Sequence, residues 1–470
     1  MFGVTTFLLG ALVLFSCTEA DDQPNPCDST GMKPYDYSQA LCMSFVFYEA
    51  QRSGPLPADQ RIKWRHDSAL KDGADNGVNL VGGYYDAGDH VKFGFPLGFT
   101  VTMLSWGLED FHFGYEKAGQ VDYVLKTIKW ATDYMFKAHT GKDEYWGQVG
   151  NGHTDHSFWC RPEDMTMDRP SYKIDEQHAG TELAAETAAA LAAASLVFRD
   201  SDNAYANKML DMAKEMYEFG DKFRENYDIS IPDAHDWYRS WSGYGDELVW
   251  GALWLARATG DDTYLTRARK YYEEFNLADA HVTEFSWDDK KGGVYAIFYL
   301  LDGSQEYLDC LNKYLNWLKN EASYTPEGLV FLDEWGNARF AANAAYLSLW
   351  AAEQGIDVES NRQWGSEQMN QLLGANSRYH MSFIVGFGDK YPERCHHRAS
   401  SCPDPPETCD YGWAYSQQGP NPHTLWGALV GGPAEDGSYD DDRSNFKQNE
   451  VALDYNAAYS GALAALIQLN

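Results

Sequence analysis

The chain of 470 residues carries 70 acidic against 37 basic side chains, a formal net charge of −33. So negative a surface repels phosphate backbones and anionic lipid over a Debye length, which excludes nucleic acid and membrane surfaces as partners. Aromatic residues make up 15% of the chain, with 16 Trp and 31 Tyr, a stock that serves either to stack on sugar rings or to fill a large core.

The first twenty residues, MFGVTTFLLGALVLFSCTEA, hold an apolar run ending in small and polar residues. This reads as a secretory signal peptide cleaved after Ala20, although its n-region lacks Lys and Arg. No later segment has the uninterrupted apolar length of a membrane span. The mature chain, 21–470, is therefore expected to be extracellular, monomeric and a single domain, since no long linker or low-complexity tract interrupts it. The last motif lies close to the C-terminus, so no appended carbohydrate-binding module is expected. Cysteines stand at 17, 27, 42, 160, 310, 395, 402 and 409, and removal of Cys17 leaves an odd number, hence at least one free thiol. Cys42 and Cys310 fall in apolar helical patterns and read as free and buried, whereas the proline-rich stretch CHHRASSCPDPPETC suits a disulfide. No cysteine spacing fits structural zinc, and no N-x-Ser/Thr sequon occurs.

Along the chain, amphipathic stretches such as QVDYVLKTIKWATDYMFKAH and SQEYLDCLNKYLNWLKNEA alternate with alanine-rich ones. The latter include GTELAAETAAALAAASLVFRD (180–200), DELVWGALWLARATGD (246–261), RFAANAAYLSLWAAEQG (339–355) and NAAYSGALAALIQL (456–469). About twelve helices follow from propensity and period, with small residues that allow close approach and with long Gly/Trp/Asp-rich loops on one side. The fold class is all-α, helical hairpins arranged about an axis. Periodicity leaves a closed ring and an open solenoid both open.

Three stretches hold candidate chemistry. In VGGYYDAGDHVKFGFPLGF (81–99), Asp86 and Asp89 sit between glycines and aromatics. Such a pair is either an Asp-rich turn or a device for holding and deprotonating a water, because close carboxylates repel and one pKa rises. In VGFGDKYPERCHHR, the group His396, His397 and Arg398 either donates to sugar hydroxyls or is a surface cluster. In YDDDRSNFKQNEVALDYNA, Glu450 opens the last alanine-rich helix, where an acid is ordinarily a capping or dipole device.

Taken together, in this order and spacing, YYDAGDHVKFGFP, SFIVGFGDKYPERCHHR and YDDDRSNFKQNEVALDYNA resemble the motifs of glycoside hydrolase family 9, the cellulases of bacteria, plants and invertebrates. The resemblance spans essentially the whole mature chain. It implies an (α/α)6 barrel with a substrate cleft at one rim, and endo-hydrolysis of β-1,4-glucosidic bonds in cellulose with inversion. By motif position it makes Asp89 the catalytic base, Asp86 its partner in holding the water, and Glu450 the general acid. An inverting pair stands about 6.5–9.5 Å apart so that a water fits between. The resemblance further implies that His396, Arg398 and Tyr455 contact the sugars near the cleaved bond, and that His156, Trp159, Trp241, Trp335 and Arg339 line the cleft. Cys395 stands where the family usually has proline or an aliphatic residue, which leaves a disulfide from Cys395 to Cys402 or Cys409 open. SWSGYGDELVW resembles a structural Ca2+ site, with Ser242, Gly243, Asp246 and Glu247 as oxygen ligands and Asp288 as a further carboxylate. The alternatives are a same-fold hydrolase preferring mixed-linkage glucan, xylan or chain ends, and a carbohydrate-binding protein without turnover.

Overall fold

The computed structural model describes residues 23–469, so the signal-peptide reading of 1–20 lies outside the described residues. Among these residues twelve helices are twelve residues or longer. In chain order they are α1 (Tyr37–Ala50), α2 (Gly94–Asp110), α3 (Val121–Ala138), α4 (Thr181–Phe198), α5 (Asn203–Lys222) and α6 (Gly245–Thr259). There follow α7 (Asp262–Glu274), α8 (Lys291–Asp302), α9 (Gln305–Asn320), α10 (Asn337–Glu353), α11 (Val358–Asn370) and α12 (Leu453–Leu469).

The even-numbered helices pack each against the next, and α12 returns to pack against α2, so the inner ring is closed. The odd-numbered helices lie outside: α1 against α12, α3 against α2 and α4, and α5, α7, α9 and α11 each against the helix before it. This is an (α/α)6 barrel. Residue choice follows the two environments. Inner helices are covered on every side, so α4 buries every residue except Val197 and α12 every residue except Gln468 and Leu469. Outer helices carry one apolar stripe; on α9 it is Tyr307, Leu311, Tyr314, Leu315 and Leu318, spaced by a helical turn. Ring closure needs small residues where α2 and α12 meet, since a Cβ on Gly107 would lie 3.0 Å from the Gly461 Cα.

Helix α4 is long and apolar enough to cross a membrane, contrary to the sequence expectation, yet 94% of it is buried inside the barrel. Its apolarity serves the inner ring. Much of the aromatic excess also belongs to the core: Trp106, Trp250, Trp254 and Trp350 are fully buried and pack edge-on around Trp106. Below them Asp110 accepts hydrogen bonds from Trp106 Nε1 and Trp350 Nε1, each at 2.7 Å.

The loops that enter the inner helices form one rim. A small antiparallel sheet stiffens this rim, with β3 (Glu144–Val149) pairing β4 (Ser171–Asp175) along one edge and β1 (Lys92–Phe93) and β2 (His139–Gly141) along the other. β1 leads directly into α2 and thereby fixes the segment that carries Asp86 and Asp89.

Among the described residues two disulfides occur, Cys27–Cys42 and Cys402–Cys409, while Cys160, Cys310 and Cys395 are free. The pairing of Cys42 corrects its reading as a free thiol, because the extended segment ahead of α1 lies across that helix and brings Cys27 to it. Cys395 is buried beside Asn421 Nδ2 (3.3 Å) and takes no part in the stapled loop.

Candidate active site

Three segments from opposite ends of the chain are bound to one another through their backbones. The Arg398 N–H donates to the Gly88 carbonyl (2.9 Å), the His396 N–H to the Asn449 carbonyl (2.7 Å), and the Leu453 N–H to the Asp86 carbonyl (2.9 Å). Each segment thus holds both of the others. Gly88 permits this approach, since a Cβ there would come within 2.0 Å of the His396 carbonyl oxygen. The Glu450 carbonyl accepts from Gly431 N–H (3.0 Å), which ties the third segment to the rim as well.

These segments wall a cavity of about 510 Å³ lined by Asp86, Asp89 and Glu450. His156, Trp159, Trp335, Arg339, His396, Arg398 and Tyr455, all expected from the sequence, also line it. Trp241 does not. Its ring is 72% exposed with the Arg239 guanidinium 3.4 Å above it, and its backbone N–H is directed to Asp288 Oδ1 at 2.8 Å. The same stretch, DWYRSW, sends Trp237 and Tyr238 into the cavity instead. Trp237 and Tyr238 follow directly on the Pro232–Asp236 turn, and nothing in the local sequence distinguishes them from Trp241. Trp287, Tyr411, Tyr415 and Phe446 are further lining aromatics that sequence reasoning missed.

The two aspartates differ in their surroundings. Asp86 is fully buried; Tyr238 Oη donates to its Oδ2, and Oδ1 has no partner. Burial, then the neighbouring Asp454, pushes its carboxyl well above the usual range. Asp89 is also pushed up by burial and by Asp155, but His156 and Arg398 act in the opposite direction. Its Oδ1 accepts from the Val91 N–H (3.3 Å) and its Oδ2 lies 3.6 Å from His156 Nε2. Asp89 is thus the member of the pair with the Arg398 guanidinium and the His156 imidazole nearby, so ionisation costs less there.

Glu450 is pushed up to about 7, first by burial and also by the charge of Asp89, against a hydrogen bond from Trp335 that lowers it. Trp335 Nε1 donates to Glu450 Oε2 at 2.6 Å. A carboxyl with that value is about half protonated at neutral pH and increasingly so below it, and can deliver its proton. Arg339 pairs with Asp454 Oδ2 at 3.1 Å and its guanidinium lies over the Tyr455 ring at 5.2 Å. His396 is pushed down to about 4, chiefly by burial, so its imidazole is neutral. Its Nδ1 faces the Arg443 carbonyl at 2.7 Å; a carbonyl only accepts, so Nδ1 carries the proton and Nε2 remains an acceptor. Arg398 is buried, paired with Asp155, and its guanidinium lies over the Trp159 ring at 5.5 Å. Asp155 and Asp454 went unnoticed in the sequence although each adjoins a residue singled out there, His156 and Tyr455.

This geometry has known counterparts. The model of glycosyl hydrolase family 9 matches residues 37–463. The chain belongs to glycosyl hydrolase family 9. Endoglucanase A of Bacillus pumilus is 44% identical over 454 residues, covering 93% of this chain and 67% of the relative. The solved endoglucanase of the termite Nasutitermes takasagoensis is 52% identical with a TM-score of 0.90, covering 93% of this chain and 99% of that one. Endoglucanase CelQ of Clostridium thermocellum, solved with cellobiose and cellotriose, is 34% identical with a TM-score of 0.81, covering 92% of this chain and 71% of that one.

The family 9 barrel carries a second carboxylate cluster at the entry to α6. Asp288 Oδ1 accepts from Ser240 Oγ (2.9 Å) and from Trp241 N–H. Ser242 Oγ lies within hydrogen-bond distance of Asp246 Oδ1 (3.1 Å) and of the Asp288 carbonyl (2.8 Å), and its single O–H donates to one of them at a time. The Gly243 carbonyl accepts from Ser240 Oγ at 2.6 Å. Glu247 gives one oxygen to Lys290 Nζ (3.0 Å), while Oε2 is buried without a partner. Burial and then Asp246 hold Glu247 and Asp288 above the usual range. An unpartnered carboxylate oxygen among hard oxygen donors fits a cation of the Ca2+ type.

The raised value of Glu450 has a consequence for stability. Its carboxyl titrates near 7 in the fold against about 4.3 in an unfolded chain, so the fold favours the protonated form. That contribution is complete below pH 4 and is lost as pH rises through 7. Glu450→Gln is therefore expected to raise Tm relative to the unmutated protein above pH 7 and to leave it unchanged near pH 4. A Tm difference of equal size at both pH values would contradict this.

Proposed function

We propose that this chain is a single catalytic domain, exported to the outside of the cell, that hydrolyses internal β-1,4-glucosidic bonds of cellulose and related glucans with inversion. Membership of family 9 and the endoglucanase relatives support the reaction. The asymmetry between Glu450 and Asp89 in one cavity is the observation that supports the division of roles. Glu450 is the general acid: protonated up to about pH 7, it delivers its proton to the glycosidic oxygen as the bond to the anomeric carbon breaks. Asp89 is the base: with His156 and Arg398 moderating its rise, it takes a proton from the attacking water on the opposite face of the sugar. Asp86, unpartnered at Oδ1, positions that water. Inversion follows because acid and base act from opposite faces in one step.

His396 Nε2, Arg398, Trp335, Arg339 and Tyr455 contact the sugars around the cleaved bond. The stacked pair His156–Trp237, with rings 4.4 Å apart, and the wall of Trp159, Tyr411 and Tyr415 offer faces for neighbouring rings.

Asp89→Asn and Glu450→Gln are each expected to lower reducing-sugar release from carboxymethylcellulose by about 10²–10⁴-fold with the fold intact. Activity retained in both would overturn the assignment of roles and favour a carbohydrate-binding protein or another reacting pair. Bound Ca2+ at Ser242, Gly243, Asp246, Glu247 and Asp288 would neutralise the second cluster and fix the entry to α6; it takes no part in proton transfer. Chelation is expected to lower Tm, and calcium to restore it, whereas a Tm unmoved at saturating chelator contradicts a structural calcium there.

A further inference from the structure

His156 and Asp89 face one another in a way that requires a cation. His156 Nδ1 lies 2.6 Å from the Gly152 carbonyl, and because a carbonyl only accepts, Nδ1 carries a proton; in the neutral ring Nε2 then presents a lone pair. That lone pair faces Asp89 Oδ2 at 3.6 Å. Two acceptors so placed repel unless a proton or a metal ion stands between them.

Asp155 makes the arrangement three-sided. Its Oδ1 is taken by Arg398 and by the His90 N–H (3.4 Å). Its Oδ2 is buried with no partner, on a side chain only 2% exposed. One ligand atom from each of Asp89, Asp155 and His156 lies within 4.8 Å of the other two. Among the described residues no other trio of His, Cys, Asp or Glu side chains closes so tightly. The calcium-type cluster is more open by this measure.

We propose that Asp89, Asp155 and His156 form a binding site for a transition-metal dication of the zinc class, and that its occupancy switches hydrolysis off by withdrawing the Asp89 carboxylate from proton transfer. The switch rests on the reading of Asp89 as the base; the site does not. One imidazole nitrogen with two carboxylate oxygens selects Zn2+, Cu2+ or Ni2+ over Ca2+ and Mg2+. The Nδ1–H bond to a backbone carbonyl is the outer contact that orients a metal-ligating histidine. Three protein ligands leave a further position open to water on the cavity side. The acidic side chains of Asp86 and Glu450 line the same cavity as Asp89, which favours a cation there. Arg398 opposes it, so the ion shares Asp155 with a guanidinium and binds reversibly.

Zinc chloride titrated calorimetrically into the full chain, with calcium saturating to fill the second cluster, tests the site. One equivalent of zinc is expected to bind the unmutated protein, and His156→Gln and Asp155→Asn to weaken it at least about tenfold. On the unmutated protein, cellobiose is expected to weaken zinc binding, because both occupy the cavity. Hydrolysis of carboxymethylcellulose is expected to fall as the zinc site fills, and each variant, compared with its own zinc-free rate, to need at least about tenfold more zinc. No zinc binding, or equal affinity in both variants, would overturn the site and leave a protonated His156 as the cation between the acceptors. Zinc that binds as described but leaves hydrolysis unchanged would overturn the switch. The calorimetric arm needs no turnover, so failure of the site is distinguishable from failure of Asp89 as base, which Asp89→Asn reads separately.

Discussion

Everything at this site depends on the closure that brings α12 back to α2. Asp86 and Glu450 are separated by more than three hundred residues, and two carboxylates so far apart in sequence share a cavity only because the inner helices complete a ring. The three backbone hydrogen bonds among the Gly88, His396 and Asn449 segments then fix the carboxylates relative to one another. The same closure withdraws them from bulk water. Burial heads the causes that raise Asp86, Asp89, Glu450 and Asp454, so the geometry that assembles the site also sets its proton affinities.

Such crowding costs stability, and the structure distributes the compensation unevenly. Asp454 has Arg339 and Asp89 has His156 and Arg398 nearby, whereas Asp86 has only the Tyr238 hydroxyl. That inequality makes ionisation less costly at Asp89 than at Asp86, a separation of the kind that acid–base chemistry near neutral pH uses. The buried Lys290, held between Glu186 at 3.3 Å and Glu247 at 3.0 Å, shows that this barrel also sets a cation beside interior carboxylates away from the cavity.

The architecture was legible because helix period and alanine content respond to burial on one or all sides, and this distinguishes α9 from α4 without any tertiary information. That Asp86, Asp89 and Glu450 would come together in one cavity was legible because the stretches that hold them are dense and ordered. Loop conformation was not. DWYRSW carries three aromatics, of which Trp237 and Tyr238 line the cavity and Trp241 stands in solvent. The strands at the rim are two to six residues long and show no alternation, because the sheet is covered by the barrel loops. Cys27–Cys42 depends on an extended segment crossing α1, and Asp454 is hidden in an alanine-rich helix where an acid reads as a dipole device. Each of these was settled by contacts between segments distant in sequence.

In the proposed reaction Glu450 and Asp89 act from opposite faces of one bond, with the attacking water between the sugar and Asp89. Proton NMR of a β-1,4-glucan oligosaccharide in the first moments of hydrolysis reads this directly, because the anomer released precedes mutarotation. Inversion releases the α-anomer at the new reducing end. Release of the β-anomer would mean a covalent intermediate and two displacements, and would contradict it.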